Sequence, residues 1–242
     1  MIRTSKAKFK QQGKRWIANY LFFFFIIPVL IYLNIFYDDL KETTFIDEKF
    51  VLYEPSSGKL GEFSLGGFVV ILIFLFGARF LYPDLKRKGL LNSIIIGTII
   101  FLIGFHYFMF SDYRGVHEEK GLVSSNWKGE RQIIPYDEIE SVYLEPYVHY
   151  ASLSNTSDEM RFVWEVTFYP SHQKEVVYRF SMLTKTGLEE TIAIKKLALE
   201  HDVPFNVGEM NQETLELFNF DLEYEGLEKE RYYELFQLRY DK

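Results

Sequence analysis

The chain has 242 residues, no cysteine and a formal charge of -7. The absence of cysteine excludes disulfides, thiolate metal sites and cysteine nucleophiles. The mean hydropathy of -0.07 averages two unlike parts, because residues 16–110 are rich in Phe, Ile and Leu whereas residues 111–242 are charged and mostly polar. This length and patterning predict one membrane domain, residues 16–110, followed by one modest soluble domain, residues 111–242.

Three long apolar segments cover residues 16–37, 64–83 and 90–110. The first has no charged residue, and at a rise of about 1.5 Å per residue it reaches roughly 33 Å, enough to cross a hydrocarbon core of about 30 Å. A buried helix of a soluble domain rarely stays apolar on all sides for this length. The sequence therefore predicts three transmembrane helices. The first is too long, and too bulky at its end, for a cleaved signal peptide.

Basic residues predict the orientation, since cytoplasmic segments of membrane proteins collect Lys and Arg. Residues 1–15 and the link between the second and third segments are basic, and three crossings place both on one side of the membrane. These determinants are Lys6, Lys8, Lys10, Lys14, Arg15, Lys86, Arg87 and Lys88. The prediction is a multi-pass protein of the cell membrane with a cytoplasmic tail, residues 1–15, and with residues 111–242 outside. If one segment were re-entrant or lay in the interface, residues 111–242 would return to the cytoplasm.

Residues near the ends of the apolar segments are predicted to anchor the helices, because Trp and Tyr collect at membrane interfaces and long cationic side chains extend to the headgroups. These anchors are Trp16, Tyr20, Tyr37, Arg79 and Tyr82. Arg79 is an intramembrane charge and hence a functional candidate by default, but its position near the inner end favours snorkelling. Gly97 and Gly104 fall on one face of the third segment, where they suit close packing within the chain or a homodimer.

The pattern after residue 110 changes to strands and then to helices. Residues 162–169 and 175–182 are rich in β-branched and aromatic residues and flank a turn, which predicts a hairpin. Helical periodicity begins near residue 186, ends before Pro204 and returns over residues 227–240. The prediction is an α+β domain, an antiparallel strand meander followed by helices. Its 14 Lys+Arg and 26 Asp+Glu argue against nucleic acid as a partner.

Residues 119–123 (EKGLV) and 134–142 (IPYDEIESV) resemble the strand–hairpin–strand opening of bacterial pleckstrin-homology-like domains. The meander and the helix over residues 187–201 continue the likeness, which covers about residues 115–205. Such domains commonly follow transmembrane helices in small bacterial multi-pass membrane proteins. The resemblance implies an interaction or assembly module and assigns no functional residue. It also implies a cytoplasmic domain, which conflicts with the orientation predicted from the basic residues.

The sequence contains no established catalytic motif. The five His residues lack metal-ligand spacing. The group His117-Glu118-Glu119 could ligate a cation, although a solvated strand or loop is the simpler interpretation. The carboxylate pairs Asp137-Glu138 and Glu189-Glu190 could do acid–base work only within a cleft. We therefore predict that the chain is not an enzyme and that it has no metal site and no cofactor.

These features favour a membrane-anchored, non-catalytic protein whose acidic domain docks a protein partner through strand edges or through the aromatic helix over residues 227–240. A binding, an assembly, or an immunity or stress module would each fit this description. An accessory subunit or sensor of a membrane transport complex is the alternative. The predicted partners are the lipid bilayer and a protein bound to residues 111–242, and a homodimer through the third segment stays open.

Overall fold

The computed structural model describes residues 17, 19–57, 59–82, 87–150 and 160–238, with no side chains described for residues 59–65. The chain divides into two compact units. The helical unit comprises Met1–Glu48, Tyr53–Arg114 and Ser124–Arg131, and the α+β unit comprises Lys49–Leu52, Gly115–Val123 and Gln132–Lys242.

Three long helices form the helical unit: α1 (Ile27–Phe45), α2 (Lys59–Leu81) and α3 (Lys88–Phe110). A π-helical turn, Phe22–Ile26, immediately precedes α1. Pro28 accounts for this turn, because it lacks the N–H that an α-helix would use and its ring displaces the carbonyl of the preceding turn. Helix α1 ends eight residues beyond the predicted boundary at residue 37, since the polar residues that follow include no Gly or Pro to stop it.

Among the residues that the structure describes, two helical stretches are long and apolar enough to cross a membrane, Asn19–Phe45 and Lys88–Phe110. Only 6% and 11% of the residues in their apolar stretches are buried, so most of their side chains face outwards instead of forming a core. Within the described residues, the apolar part of α2 covers only Gly66–Leu81 and is shorter. Two of the three predicted spans are therefore supported. The span predicted over residues 64–83 is not supported, because the apolar part of α2 in the described residues is shorter than the other two.

A first sheet has the strand order β1-β2-β3-β4. Its strands are β1 (Phe50–Glu54), β2 (Tyr113–His117), β3 (Gly121–Ser125) and β4 (Arg131–Ile134). Strand β1 lies between α1 and α2, in a segment for which no strand was predicted. The sequence does not predict this strand, because its partner β2 follows about sixty residues later and the pairing leaves no local pattern.

A second sheet has the order β7-β6-β5-β8. Its strands are β5 (Ile139–Tyr150), β6 (Met160–Pro170), β7 (Val176–Phe180) and β8 (Phe205–Val207). The antiparallel pairing of β6 with β7 confirms the predicted hairpin. Strand β8 pairs parallel to β5, with Val142 opposite Phe205. The predicted antiparallel meander is therefore incomplete: the chain returns through a helix, and a crossover of this kind makes the last pair parallel.

Three helices complete the α+β unit: α4 (Lys185–Glu200), α5 (Gln212–Tyr224) and α6 (Lys229–Leu235). The Thr184 hydroxyl caps α4 by accepting from the Gly187 N–H at 3.1 Å, and the Asn211 side chain caps α5 by accepting from the Thr214 N–H at 2.8 Å. The core joins both helices to the second sheet, and its largest fully buried side chains include Phe162, Trp164, Phe168, Tyr178, Leu188, Phe218 and Leu222. The α+β class is confirmed, whereas α5 was not predicted.

Candidate interaction surface

Helix α5 has two chemically different faces. Thr214, Phe218 and Leu222 are buried at a spacing of four residues and point into the core. The opposite side of the helix is exposed and carries Glu213, Glu216, Phe220, Glu223 and Tyr224. We call these five side chains the acidic–aromatic face. They lie at positions i, i+3, i+7, i+10 and i+11 and therefore form one stripe along the helix.

The two aromatic rings of this face are unusually open to solvent. Phe220 is 65% exposed and Tyr224 is 81% exposed. Their rings are stacked with centroids 6.4 Å apart. A single exposed apolar side chain is common on a protein surface, but an adjoining pair of large rings framed by charges is typical of a binding surface.

The segment around this face is strongly acidic. Residues 209–234 hold nine Asp or Glu and only two basic residues. Lys229 lies 3.5 Å from Glu223, but Glu223 is 80% exposed, so that ion pair is weak and leaves the carboxylate open to a partner. Tyr150 donates to Glu213 at 2.7 Å. Burial raises the pKa of Asp221, and the nearby Glu225 carboxylate raises it further.

The sequence analysis favoured docking through the aromatic helix over residues 227–240, but the described aromatic residues of that segment pack in or against the core. Tyr232 and Leu235 of α6 and the residue that follows the helix, Phe236, are buried in the core. The Tyr232 hydroxyl donates to Glu189 at 3.0 Å. Tyr232 and Phe236 therefore stabilise the fold, and the exposed rings belong to α5 instead; residues 239 and 240 lie outside the described residues. A signal for α5 was present in the sequence: Asn211 as an N-cap with Glu213 in the first turn.

A buried polar network stabilises the helical unit. The Lys41 ammonium donates to the Asp112 carbonyl at 2.6 Å. The Asp112 carboxylate accepts from the Ser57 N–H at 3.0 Å and from the Ser57 hydroxyl at 2.6 Å. Lys41 and Asp112 are both buried. The network joins the ends of α1 and α3 to the segment after β1, and we assign its charged groups a structural role.

The predicted membrane anchors occupy varied environments. Tyr20 is 57% exposed and stacks on Phe24 at 4.6 Å, and Tyr82 is 66% exposed. Tyr37 instead donates to the His106 carbonyl at 2.8 Å. Arg79 donates through Nε to the Asn92 side chain at 2.8 Å, so it joins α2 to α3. Trp16 lies outside the described residues, and the anchoring role of all five residues stays a prediction.

The predicted topology determinants are only partly within the described residues. Arg87 and Lys88 are exposed at the start of α3. The remaining determinants lie outside the described residues; they are Lys6, Lys8, Lys10, Lys14, Arg15 and Lys86.

The group at residues 117–119 is a structural turn between β2 and β3. The His117 side chain is fully buried, and its Nδ1 accepts from the N–H groups of Glu119 at 3.1 Å and Lys120 at 3.3 Å. A hydrogen bond from Lys49 holds the pKa of the Glu119 carboxyl below its usual range. In the described parts of the chain, no cluster of three His, Asp or Glu residues could hold a metal ion.

Comparison of this chain with protein-family models, with curated proteins and with solved structures finds no match.

Proposed function

We propose that this chain is a membrane-anchored, non-catalytic interaction protein, and that the acidic–aromatic face of α5 docks a basic partner protein. The exposed pair Phe220 and Tyr224, set among three carboxylates, carries the proposal. Lys and Arg side chains gain both ion pairing from carboxylates and cation–π attraction from aromatic faces. Because the buried face of α5 fixes the helix in the core, the docking face is held in one conformation before binding, which lowers the entropy cost of association.

We further propose that residues 115–205 form a pleckstrin-homology-like module. The order of elements supports this: strands β2 to β4, then the antiparallel strands β5 to β7, then helix α4. That order continues the strand–hairpin–strand opening and the following helix on which the resemblance rests. An interaction role is the function such a module would serve here.

We also propose that α2 crosses the membrane together with α3. Strands β1 and β2 are hydrogen-bonded neighbours, and Arg114 donates to Glu54 at 2.6 Å. The strand before α2 and the strand after α3 therefore lie on the same side of a membrane in this proposal. The chain then crosses the membrane an even number of times between them. If α3 spans, α2 must span too. Its apolar part, Gly66–Leu81, reaches about 24 Å at the helical rise, and a bilayer accommodates a hydrophobic stretch of this length by thinning locally.

Labelling of single cysteines tests this topology, and the chain offers a background free of cysteine. The variants Glu48→Cys, Lys88→Cys and Glu209→Cys place thiols at three exposed positions. With a membrane-impermeant maleimide on intact cells, we expect residues 48 and 209 to react at once. Residue 88 is expected to react only after the membrane is permeabilised.

Two outcomes would contradict this topology. Reaction at all three positions in intact cells would show that α2 and α3 do not cross. Reaction at residue 88 alone would invert the orientation and place the α+β unit in the cytoplasm, as the pleckstrin-like resemblance implies.

Site-specific photo-crosslinking tests the docking face in cells of the natural host. A benzophenone amino acid replaces Phe220 or Tyr224 in the full chain, and the matched control replaces Tyr169, which is 40% exposed on β6. We expect both α5 positions to capture the same positively charged protein, and the control position not to capture it. Removing both rings by Phe220→Ala and Tyr224→Ala should weaken binding of that protein about tenfold, at about 0.5–1 kcal/mol for each ring.

Charge reversal gives a second, independent test of the same face. The double variant Glu216→Lys, Glu223→Lys should abolish the crosslink from residue 220, because like charges then face the basic partner. A crosslink that survives charge reversal, or that joins an acidic protein, would refute the proposed mode of docking.

A further inference from the structure

The helical unit contains an open groove of about 790 Å³ between α1, α3 and the turn at residues 126–129. Its wall changes character along its length. Along α3 the lining runs from Ile103 at its apolar end, past His106, to Ser111 at its polar end, beside the turn that carries Lys128.

The turn that forms the polar end has a fixed conformation. The Asn126 side-chain oxygen accepts from the N–H groups of Lys128 at 2.9 Å and Glu130 at 3.1 Å. Gly129 adopts a φ of +78°, which favours glycine. The Ser111 hydroxyl donates to the Asn126 carbonyl at 3.2 Å and so joins the turn to the end of α3. The side chains of residues 127 and 128 are thereby presented at a defined place.

An aromatic and a cationic side chain meet at this turn. Trp127 is 50% exposed and packs edge-on against Phe108, with ring centroids 5.8 Å apart. The Lys128 ammonium lies 5.3 Å from the Trp127 ring centroid. A tryptophan beside a lysine at the end of an apolar helix is suited to the headgroup layer of a bilayer, where the indole ring and the charge both find partners.

We propose that this groove holds one phospholipid molecule, with its phosphate at Lys128 and an acyl chain that runs along α3 towards Ile103. From Lys128 at the turn to Ile103 on α3, the lining changes from charged to apolar, which is the order of a lipid from headgroup to hydrocarbon. The apolar end continues onto the outward surface of α3, where Ile100 is 65% and Ile103 is 67% exposed. The inference rests on the membrane insertion proposed above and is independent of the docking face on α5.

Lipid retention tests the site in the full-length protein. Flotation with vesicles first establishes insertion. The detergent-extracted protein is then examined by native mass spectrometry with phosphatidylglycerol, with a phosphate-free glycolipid, and with inorganic phosphate as competitor. We expect one tightly held phosphatidylglycerol, no comparable retention of the glycolipid, and no displacement by inorganic phosphate. Lys128→Ala should weaken retention about fivefold, whereas the matched variant Lys174→Ala, at another exposed lysine, should not change it.

A fluorescence measurement locates the bound lipid. The emission lost in Trp127→Phe isolates the signal of Trp127, and phospholipids brominated on the upper acyl chain should quench that signal in vesicles. Unquenched emission, equal retention of the glycolipid, or unchanged retention by Lys128→Ala would each overturn the proposal. Displacement by inorganic phosphate would instead identify a free-phosphate site. A chain that failed to float would refute membrane insertion itself, whereas a floating chain without the lipid would refute only this inference.

Discussion

Replacing Trp164 by Ala is expected to lower the free energy of unfolding of the α+β unit by about 3–5 kcal/mol. The Trp164 side chain is fully buried and stacks on Phe180 at 4.9 Å with the rings 7° from parallel. Its Nε1 donates to the Thr191 hydroxyl at 2.9 Å. The substitution removes this packing and hydrogen bond together and leaves a cavity between β6 and α4.

Hydrogen exchange of the β5 and β6 amides in the full-length protein measures this loss, because those amides report the stability of the second sheet. Tyr224→Ala is the control: it also removes an aromatic ring, but one that is 81% exposed, and its expected effect is within about 0.5 kcal/mol. A loss at Trp164 no larger than that of the control would mean that the indole ring does not lie in the core.

The second large effect is expected at Gly121, at the start of β3. Gly121 has a φ of +81°, and a Cβ there would lie 2.2 Å from the Ile134 carbonyl oxygen and 3.1 Å from Pro135 Cα. Both obstacles are backbone atoms, which cannot rotate away. Gly121→Ala should therefore destabilise the unit by about 2–5 kcal/mol, combining left-handed strain with an overpacked contact.

Gly226→Ala separates these two contributions. Gly226 also has a positive φ, +65°, but a Cβ there would meet no atom within 4 Å. Its expected cost is the backbone strain alone, about 1–2 kcal/mol. Thermal unfolding of both variants, followed by circular dichroism, gives the comparison. Equal losses would show that β3 does not approach Ile134 as closely as the structure has it.

These stability variants also sharpen the functional tests, because helix α5 contributes to both the core and the proposed docking face. Phe218 is fully buried and packs on Phe162 at 4.8 Å, whereas Phe220, two residues later, is exposed. Substitution of Phe218 would disturb binding by unfolding the helix. Substitution of Phe220 would disturb binding and leave the unfolding free energy nearly unchanged, and this contrast separates recognition from folding.

Much of the fold could be predicted because its signals are local. The hairpin of β6 and β7 combines strand-forming residues with a nearby turn. Helix α4 shows helical periodicity that ends before Pro204. The outward-facing helices at Asn19–Phe45 and Lys88–Phe110 follow from unbroken apolar composition. None of these features requires information about distant residues.

The candidate site could not be predicted in the same way. The segment over residues 227–240 is rich in aromatic residues, and the sequence alone suggested that they were available to a partner. In the folded chain Tyr232 and Phe236 are buried, and Phe220 and Tyr224 on the preceding helix are exposed. Which aromatic residues of two neighbouring helices face the core depends on how both helices pack against the sheet.

The amino-acid sequence by itself determined the α+β class, the central hairpin and the two outward-facing apolar helices, because periodicity and composition act over a few neighbouring residues. Only the tertiary structure decided that β1 joins β2 across about sixty residues, that β8 pairs parallel to β5, and that α5 presents the exposed rings. Those pairings depend on which segments, distant in sequence, bury apolar surface against each other. The free energy of that burial is gained only when the whole chain folds.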